Sequence, residues 1–112
     1  MSITFHLPSS QVNQDDLYRL ELTIQDDGTV DWDEISYIEI MVTTSDGRPT
    51  ANSRMATWAA SGPSWHSVWA QQWFKDLEVY GSYRFTVSLQ TYAGTIKQAS
   101  STTITVAPYF SN

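Results

Sequence analysis

The sequence contains no cysteine and no long apolar run. Without cysteine the chain can form neither disulfides nor thiolate metal sites, so its stability has to come from a packed core. No eighteen consecutive apolar residues occur, and we therefore expect no membrane-spanning helix and no membrane partner. The first sixteen residues lack a basic segment followed by an apolar one, so we expect no secretory signal peptide.

Positive charge is scarce, with six lysines and arginines against twelve acids and a net charge of −6. Nucleic acid requires a basic face, so we expect no nucleic-acid partner. Residues 1–46 hold ten acids and Arg19 as their one base, a charge of −9, whereas residues 47–112 carry +3. Either this asymmetry is scattered solubilising charge, or the acidic part meets a basic partner or the next copy of the chain.

Catalytic signatures are missing as well. The sequence has no Gly-x-Ser-x-Gly, no phosphate-binding glycine loop and no His-Glu-x-x-His, and its two histidines, His6 and His66, stand in unrelated segments. We therefore predict that the protein is not an enzyme and uses no cofactor.

What the sequence does contain is a repeated strand pattern. With 112 residues, 41% of them hydrophobic, the chain can form one modest core, and we predict a single domain over 1–112 with short tails. Alternating or β-branched segments separated by turn residues predict six or seven antiparallel strands in an all-β sandwich or barrel. The candidate strands are 2–7, 17–24, 35–44, a weaker one at 51–59, 83–92 and 100–107.

The segment "LEVYGSYRFTVSLQTYAGTIKQASSTTITV" (77–106) resembles the fibronectin type III and related immunoglobulin-like domains. In that family a leucine, a tyrosine six residues later and a glycine about eleven residues after it stand where Leu77, Tyr83 and Gly94 stand here. The resemblance implies an immunoglobulin-like sandwich of about seven strands. It also implies that the Tyr83 hydroxyl bonds to the backbone at a corner, and that Gly94 takes a positive φ in a hairpin.

Four of the five tryptophans lie within "WAASGPSWHSVWAQQW" (58–73). Trp65, Trp69 and Trp73 are four residues apart, which fits one stripe of a helix and equally one face of a strand. The family pattern favours a strand with Ala70, Gln72 and Phe74 inward and the three indoles outward. Three interpretations stay open: indoles packed in the core after a register shift, a protein interface, or a platform for sugar rings. We take Trp32 and Trp58 to be packed in the core or against a loop.

Two further segments are candidates for contact with a partner. The acidic segment with Asp26, Asp27, Asp31, Asp33 and Glu34 offers oxygen ligands for Ca²⁺ but lacks the order of a calcium loop, so we favour a solvated hairpin loop. The C-terminal Tyr109 and Phe110 are large rings where a chain would otherwise fray, which favours docking onto an assembly or onto the domain itself.

Small chains with these features resemble the accessory proteins of tailed bacteriophage particles, which decorate capsids or build tail parts. The resemblance implies a non-enzymatic virion protein, assembled in the host cytoplasm, that docks on a protein lattice or on copies of itself. The alternative is a carbohydrate-binding or adhesin module that stacks sugars on the same indoles. The expected contact residues are Trp65, Trp69, Trp73, Tyr109, Phe110, Asp26, Asp27, Asp31 and Asp33.

Overall fold

A computed structural model describes residues 1–7, 9–14, 17–26, 28, 30–62, 64–73 and 77–108, with side chains for all of these except 17, 18, 72 and 73. Within these residues the chain forms ten strands and one 3₁₀ turn, Trp32–Glu34. The described part contains no helix long and apolar enough to cross a membrane. The strands are β1 (Ser2–His6), β2 (Gln11–Asn13), β3 (Leu17–Gln25), β4 (Ile35–Thr44), β5 (Pro49–Met55), β6 (Thr57–Gly62), β7 (Trp65–Trp73), β8 (Ser82–Thr91), β9 (Gly94–Ser100) and β10 (Ile104–Ala107).

The strands form two sheets. The four-stranded sheet has the order β1-β3-β7-β6, and all its pairings are antiparallel. The six-stranded sheet has the order β2-β10-β8-β4-β5, with β9 lying beside β8. Its pairings are antiparallel except that of β2 with β10, which is parallel. The short turns that join β4 to β5 and β8 to β9 explain the antiparallel pairing of these strands.

The core lies between the two sheets, and the alternation of apolar residues places it there. In β3 the side chains of Leu20, Leu22 and Ile24 are fully buried, whereas Arg19 and Glu21 between them are exposed. The facing sheet contributes the largest buried side chains of β4, β8 and β10, namely Ile38, Ile40, Val42, Phe85, Leu89 and Ile104. The prediction of an all-β sandwich is therefore confirmed at the level of two packed, mainly antiparallel sheets.

Two predicted strands are each divided in the structure. The segment 51–59 belongs to β5 and β6, which lie in different sheets, because the buried Ala56 carries the chain across and donates its backbone N–H to the Ile38 carbonyl at 2.7 Å. The predicted strand 100–107 is interrupted at 101–103. There the buried Ser101 hydroxyl accepts a hydrogen bond from the Phe85 backbone N–H at 3.0 Å.

Three elements carried no usable signal in the sequence. Strand β9 is exposed along nearly its whole length, so it shows no alternation of apolar and polar residues. Strand β2 is only three residues long, and the 3₁₀ turn Trp32–Glu34 contains no buried residue. The structure has ten strands, where about seven were expected. The three additional strands are β2, β9 and the second strand that results from the division of 51–59.

The connection from β7 to β8 forms a corner around Tyr83. Leu77 and Tyr83 are both buried, and the Tyr83 hydroxyl accepts a hydrogen bond from the Glu78 backbone N–H at 3.0 Å. Gly81 has no room for a side chain, since a Cβ there would lie 2.9 Å from both the Glu78 carbonyl oxygen and the Tyr83 ring. The contact that the family resemblance implies is thus present, and Gly94 has a φ of +124° at the start of β9.

Candidate docking face

The sixteen-residue tryptophan segment forms strand β7, so the helix alternative is wrong. Alternation along β7 buries Val68 and Ala70 on the inner face and places Trp65 and Trp69 on the outer face of the four-stranded sheet. The Trp65 side chain is 50% exposed, and that of Trp69 is partly buried. Trp65 and Trp69 are therefore not packed in the core by a register shift.

Small and polar side chains surround the two indoles. Cross-strand pairing sets Trp69 in a row with Thr57, Glu21 and His6, and it sets Trp65 beside Gly62 and Gln25. A Cβ on Gly62 would lie 3.5 Å from the Trp65 ring, so the indole rests against this glycine. Along the strand the two tryptophans are about 13 Å apart, with Ser67 between them. We call this surface the tryptophan face.

Arg19 extends the tryptophan face beside Trp69. Its Cζ atom lies 6.0 Å from the centroid of the Trp69 ring, a cation–π contact at the outer limit of the useful range. Its Nε donates to Glu21 Oε1 at 2.9 Å, and both side chains of this ion pair are more than half exposed. An exposed pair of this kind adds little stability. Arg19 is thus free to exchange Glu21 for another carboxylate.

Shallow grooves flank Trp69. One, of about 280 Å³, is lined by Arg19, Glu21, Ser67 and Trp69 among others. The other, of about 350 Å³, is lined by Arg19, Arg54, Met55, Thr57, Trp69, Ala70 and Gln71, and we call it the arginine groove. It combines two guanidinium groups with an indole and a thioether. Arg54 reaches it because β5 ends beside the point where the chain crosses between the sheets.

The acidic segment forms the loop between β3 and β4 and is anchored at Trp32. The Trp32 indole stacks on the His66 ring with centroids 3.6 Å apart, and its Nε1 donates to Asp26 Oδ2 at 2.8 Å. Asp26 also accepts from the Gly28 backbone N–H at 2.8 Å, and its own N–H donates to the Ser64 carbonyl at 2.8 Å. Asp26 therefore serves the structure of the loop itself, whereas it was expected at a partner contact.

The exposed carboxylates that the structure describes in this loop lie in its last four residues, directly before β4. Asp31 accepts a hydrogen bond from the Asp33 backbone N–H at 3.1 Å and so caps the 3₁₀ turn. Asp31, Asp33 and Glu34 are all exposed, and we call these three residues the acidic tip. The partly buried Trp32 between them holds the turn against the core. The acidic tip is thus a fixed cluster of negative charge at one end of the four-stranded sheet.

His66 lies on the inner face of the four-stranded sheet, in register with the buried Ile24. Burial lowers the pKa of His66, and the nearby charge of Asp26 opposes this effect. Its Nδ1 atom is buried without a hydrogen-bond partner among the described residues. His6 lies on the other face of the same sheet, where its Nε2 shares a hydrogen bond of 2.6 Å with the Thr23 hydroxyl. The two histidines therefore do not meet at a common site.

Metal binding has no geometric support in the described residues, which include no group of three or more histidine, aspartate or glutamate side chains able to hold an ion. Asp27, Tyr109 and Phe110 lie outside the described residues, as does the side chain of Trp73. The structure thus brings Trp65 and Trp69 together on one face and places Asp31 and Asp33 at the end of the same sheet.

Sequence reasoning missed Arg19, Arg54 and the stacking of Trp32 on His66. A signal for Arg19 existed, because it is the only base in residues 1–46 and alternates outward in the strand "LYRLELTI". The sequence contains no such signal for Arg54, because its position beside Trp69 depends on the crossing of the chain between the sheets at Ala56. No protein-family model and no curated protein sequence matches the chain.

Proposed function

We propose that the sandwich is of the immunoglobulin-like, fibronectin type III-related kind. Three observations support this assignment. The strands β1, β3 and β7 are neighbours in one sheet, and β4, β8 and β9 are neighbours in the other. The Tyr83 hydroxyl bonds to the Glu78 backbone at the corner before β8. This fold carries no particular chemistry, so the function has to be argued from the surface.

We further propose that the protein is a non-enzymatic docking protein that binds a protein lattice through the tryptophan face. The single observation that carries this proposal is the position of Trp65, half exposed on the same outer face as Trp69. Exposed indoles are costly in an isolated domain and are the side chains most enriched at interface hot spots. Burying each one in a complex is worth roughly 1.5–3 kcal/mol before ordering costs.

The proposed setting is a bacteriophage virion, with the protein as a capsid decoration or tail accessory component. What supports it is the sequence resemblance to small phage accessory proteins, together with a docking surface that needs no catalytic group. Capsid, portal or tail genes flanking the gene for this chain would agree with the setting. A neighbourhood of polysaccharide-degrading enzymes would contradict it.

The docking proposal is tested by cosedimentation with virions assembled without this protein. We expect the unaltered chain to bind, and a variant with both Trp65→Ala and Trp69→Ala to bind at least about tenfold more weakly. Tyr92→Ala is the matched control, because Tyr92 is 96% exposed on the hairpin between β8 and β9, away from the tryptophan face. Melting curves check that all variants fold. Equal binding by the double variant would remove the tryptophan face from the interface.

One observation favours a glycan as the alternative ligand. The hydroxyls of Ser67 and Thr23 lie between the two indoles, and the amide of Gln25 lies beside Trp65. Such groups suit hydrogen bonding to a sugar whose ring stacks on an indole. Titration with polysaccharides followed by tryptophan fluorescence separates the two functions. A saturable shift with a protein that stays monomeric and does not bind virions would replace docking by glycan binding.

A further inference from the structure

The arginine groove lies beside Trp69 and has a charge opposite to that of the molecule as a whole. The chain carries −6, yet the lining of the groove includes two arginines and no carboxylate. One of them, Arg19, is paired with Glu21 beside the groove. Arg54 is exposed, and within the described part of the chain it has no ion-pair partner. A groove of this composition is suited to carboxylates, which a guanidinium binds in a bidentate manner.

The acidic tip supplies matching carboxylates. Asp31, Asp33 and Glu34 are exposed within four residues, and the carboxylates of Asp33 and Glu34 form no ion pair with any residue that the structure describes. Stacking of Trp32 on His66 and the cap formed by Asp31 fix the tip before any partner arrives. Binding such a preformed loop costs less ordering entropy than binding a flexible one.

The acidic tip cannot reach the arginine groove of its own molecule. Arg19 stands near the start of β3 and the loop follows Gln25 at its end, so six residues of extended chain, about 20 Å, separate them. The groove also opens on the outer face of the sheet, whereas Trp32 packs against the core at the loop end. Complementary surfaces about 20 Å apart on one molecule can meet only between two molecules.

We infer that the arginine groove receives the acidic tip of a second copy of this chain. Arg54 would pair with Asp33 or Glu34, Arg19 would exchange Glu21 for a carboxylate of the tip, and Trp69 and Met55 would cover the pairs from water. The contact joins two different surfaces, so it is heterologous and repeats from copy to copy into a ring or a filament. The inference rests on the proposed docking function, because it names a second copy as one partner of the tryptophan face.

A charge exchange tests this contact. The variants are Arg54→Glu and Asp33→Lys. Lys97→Glu on the exposed strand β9 makes the same charge change as Arg54→Glu, away from the groove. Sedimentation velocity over a range of concentrations gives the apparent Kd of self-association, at low salt and at high salt. We expect the unaltered chain and Lys97→Glu to associate at low salt and less at high salt, because salt screens exposed charges.

We expect Arg54→Glu and Asp33→Lys to raise the apparent Kd by about tenfold or more when each is measured alone. Mixing the two variants should restore association. In the mixture the glutamate at position 54 faces the lysine at position 33, and the native groove of one variant faces the native tip of the other. Every contact in the alternating assembly then joins opposite charges.

Two results would overturn the inference. One is an unaltered chain that stays monomeric at low salt up to about 1 mM; the other is a pair of groove and tip variants that behave like Lys97→Glu or show no recovery on mixing. Neither result touches the proposed docking function if the tryptophan variants still lose virion binding. If, in addition, the tryptophan variants bound virions as well as the unaltered chain, the tryptophan face would not be an interface.

Discussion

The ring of His66 lies flat on the indole of Trp32, with centroids 3.6 Å apart and planes inclined by 11°. The two residues are far apart in the chain, one in the loop between β3 and β4 and the other in β7. Their contact ties the acidic loop to the four-stranded sheet, and Asp26 reinforces it by accepting a hydrogen bond from the same indole. The orientation of the acidic tip therefore depends on a histidine in the segment that carries the exposed tryptophans.

This contact predicts that stability depends on pH through His66. Burial lowers the pKa of His66 from its ordinary 6.5, so the unfolded chain binds the proton more tightly than the folded one. The contribution of neutral His66 to the free energy of unfolding is fully present above pH 6.5 and is lost as the pH falls through the lowered folded pKa. Urea midpoints should therefore decrease on acidification from about pH 7 to about pH 5. The decrease should be smaller in His66→Gln than in the unaltered chain, and equal slopes in the two proteins would exclude His66 as the cause.

A second prediction concerns the hydroxyl of Tyr83. Tyr83→Phe removes the acceptor of the Glu78 N–H in a partly buried position and should lower the free energy of unfolding by about 1 kcal/mol. Tyr92→Phe deletes the same group from a side chain that is 96% exposed and should change stability little. Urea denaturation of the two variants provides the comparison. Equal stability of both would mean that the hydrogen bond contributes nothing.

Gly81→Ala should destabilise the same corner by steric overlap. The new Cβ would lie 2.9 Å from the Glu78 carbonyl oxygen and 2.9 Å from Cε2 of Tyr83, and relieving this contact should cost about 1–3 kcal/mol. Gly62→Ala is the matched control, since its Cβ would meet Trp65 at an ordinary 3.5 Å. Thermal unfolding should show a lower Tm for Gly81→Ala alone, and a parallel loss in the control would argue against the steric cause.

Tyr80→Gly should increase stability although it removes a large side chain. Tyr80 has a φ of +66° and is 74% exposed, so its side chain gains little from packing while its backbone is strained. Relief of about 1–2 kcal/mol exceeds the added backbone entropy of glycine in the unfolded chain, about 0.5–1 kcal/mol. Tyr92→Gly makes the same substitution without a positive φ and should lower stability. A urea midpoint for Tyr80→Gly below that of the unaltered chain would show that the positive φ of Tyr80 does not strain the backbone.

The strands whose apolar and polar residues alternate could be predicted from the sequence, and the elements without this alternation could not. In "LYRLELTI" and "YRFTVSLQTY" every second residue is apolar, and these segments are β3 and most of β8. Strand β9 pairs with β8 in the structure, but its side chains face solvent, so its sequence shows no period of two. The division at Ala56 could not be predicted either. The sequence of β5 and β6 has the pattern of one extended segment, and only the structure places the two strands in different sheets.

The candidate site divides in the same way. The four-residue spacing of Trp65 and Trp69 already required that they share a face, and only the pairing of β7 with β3 and β6 established that this face is the outer one. Arg54 is close to Trp69 in space through a crossing between sheets, and no spacing in the sequence expresses such a neighbour. Nothing in the sequence distinguished Asp26 from its acidic neighbours. In the structure it accepts a hydrogen bond from the Trp32 indole and so stabilises the loop.

By itself the sequence determined that this protein folds as a β-structure with a modest core, no disulfide and a strongly acidic first half. These properties follow from composition and from a period of two along single strands, which are local quantities. Only the tertiary structure decided which indoles face solvent, which carboxylates stay exposed and which arginines lie beside Trp69. Those relationships arise where strands distant in sequence pair and where the chain crosses between sheets, and they depend on contacts that no single segment contains.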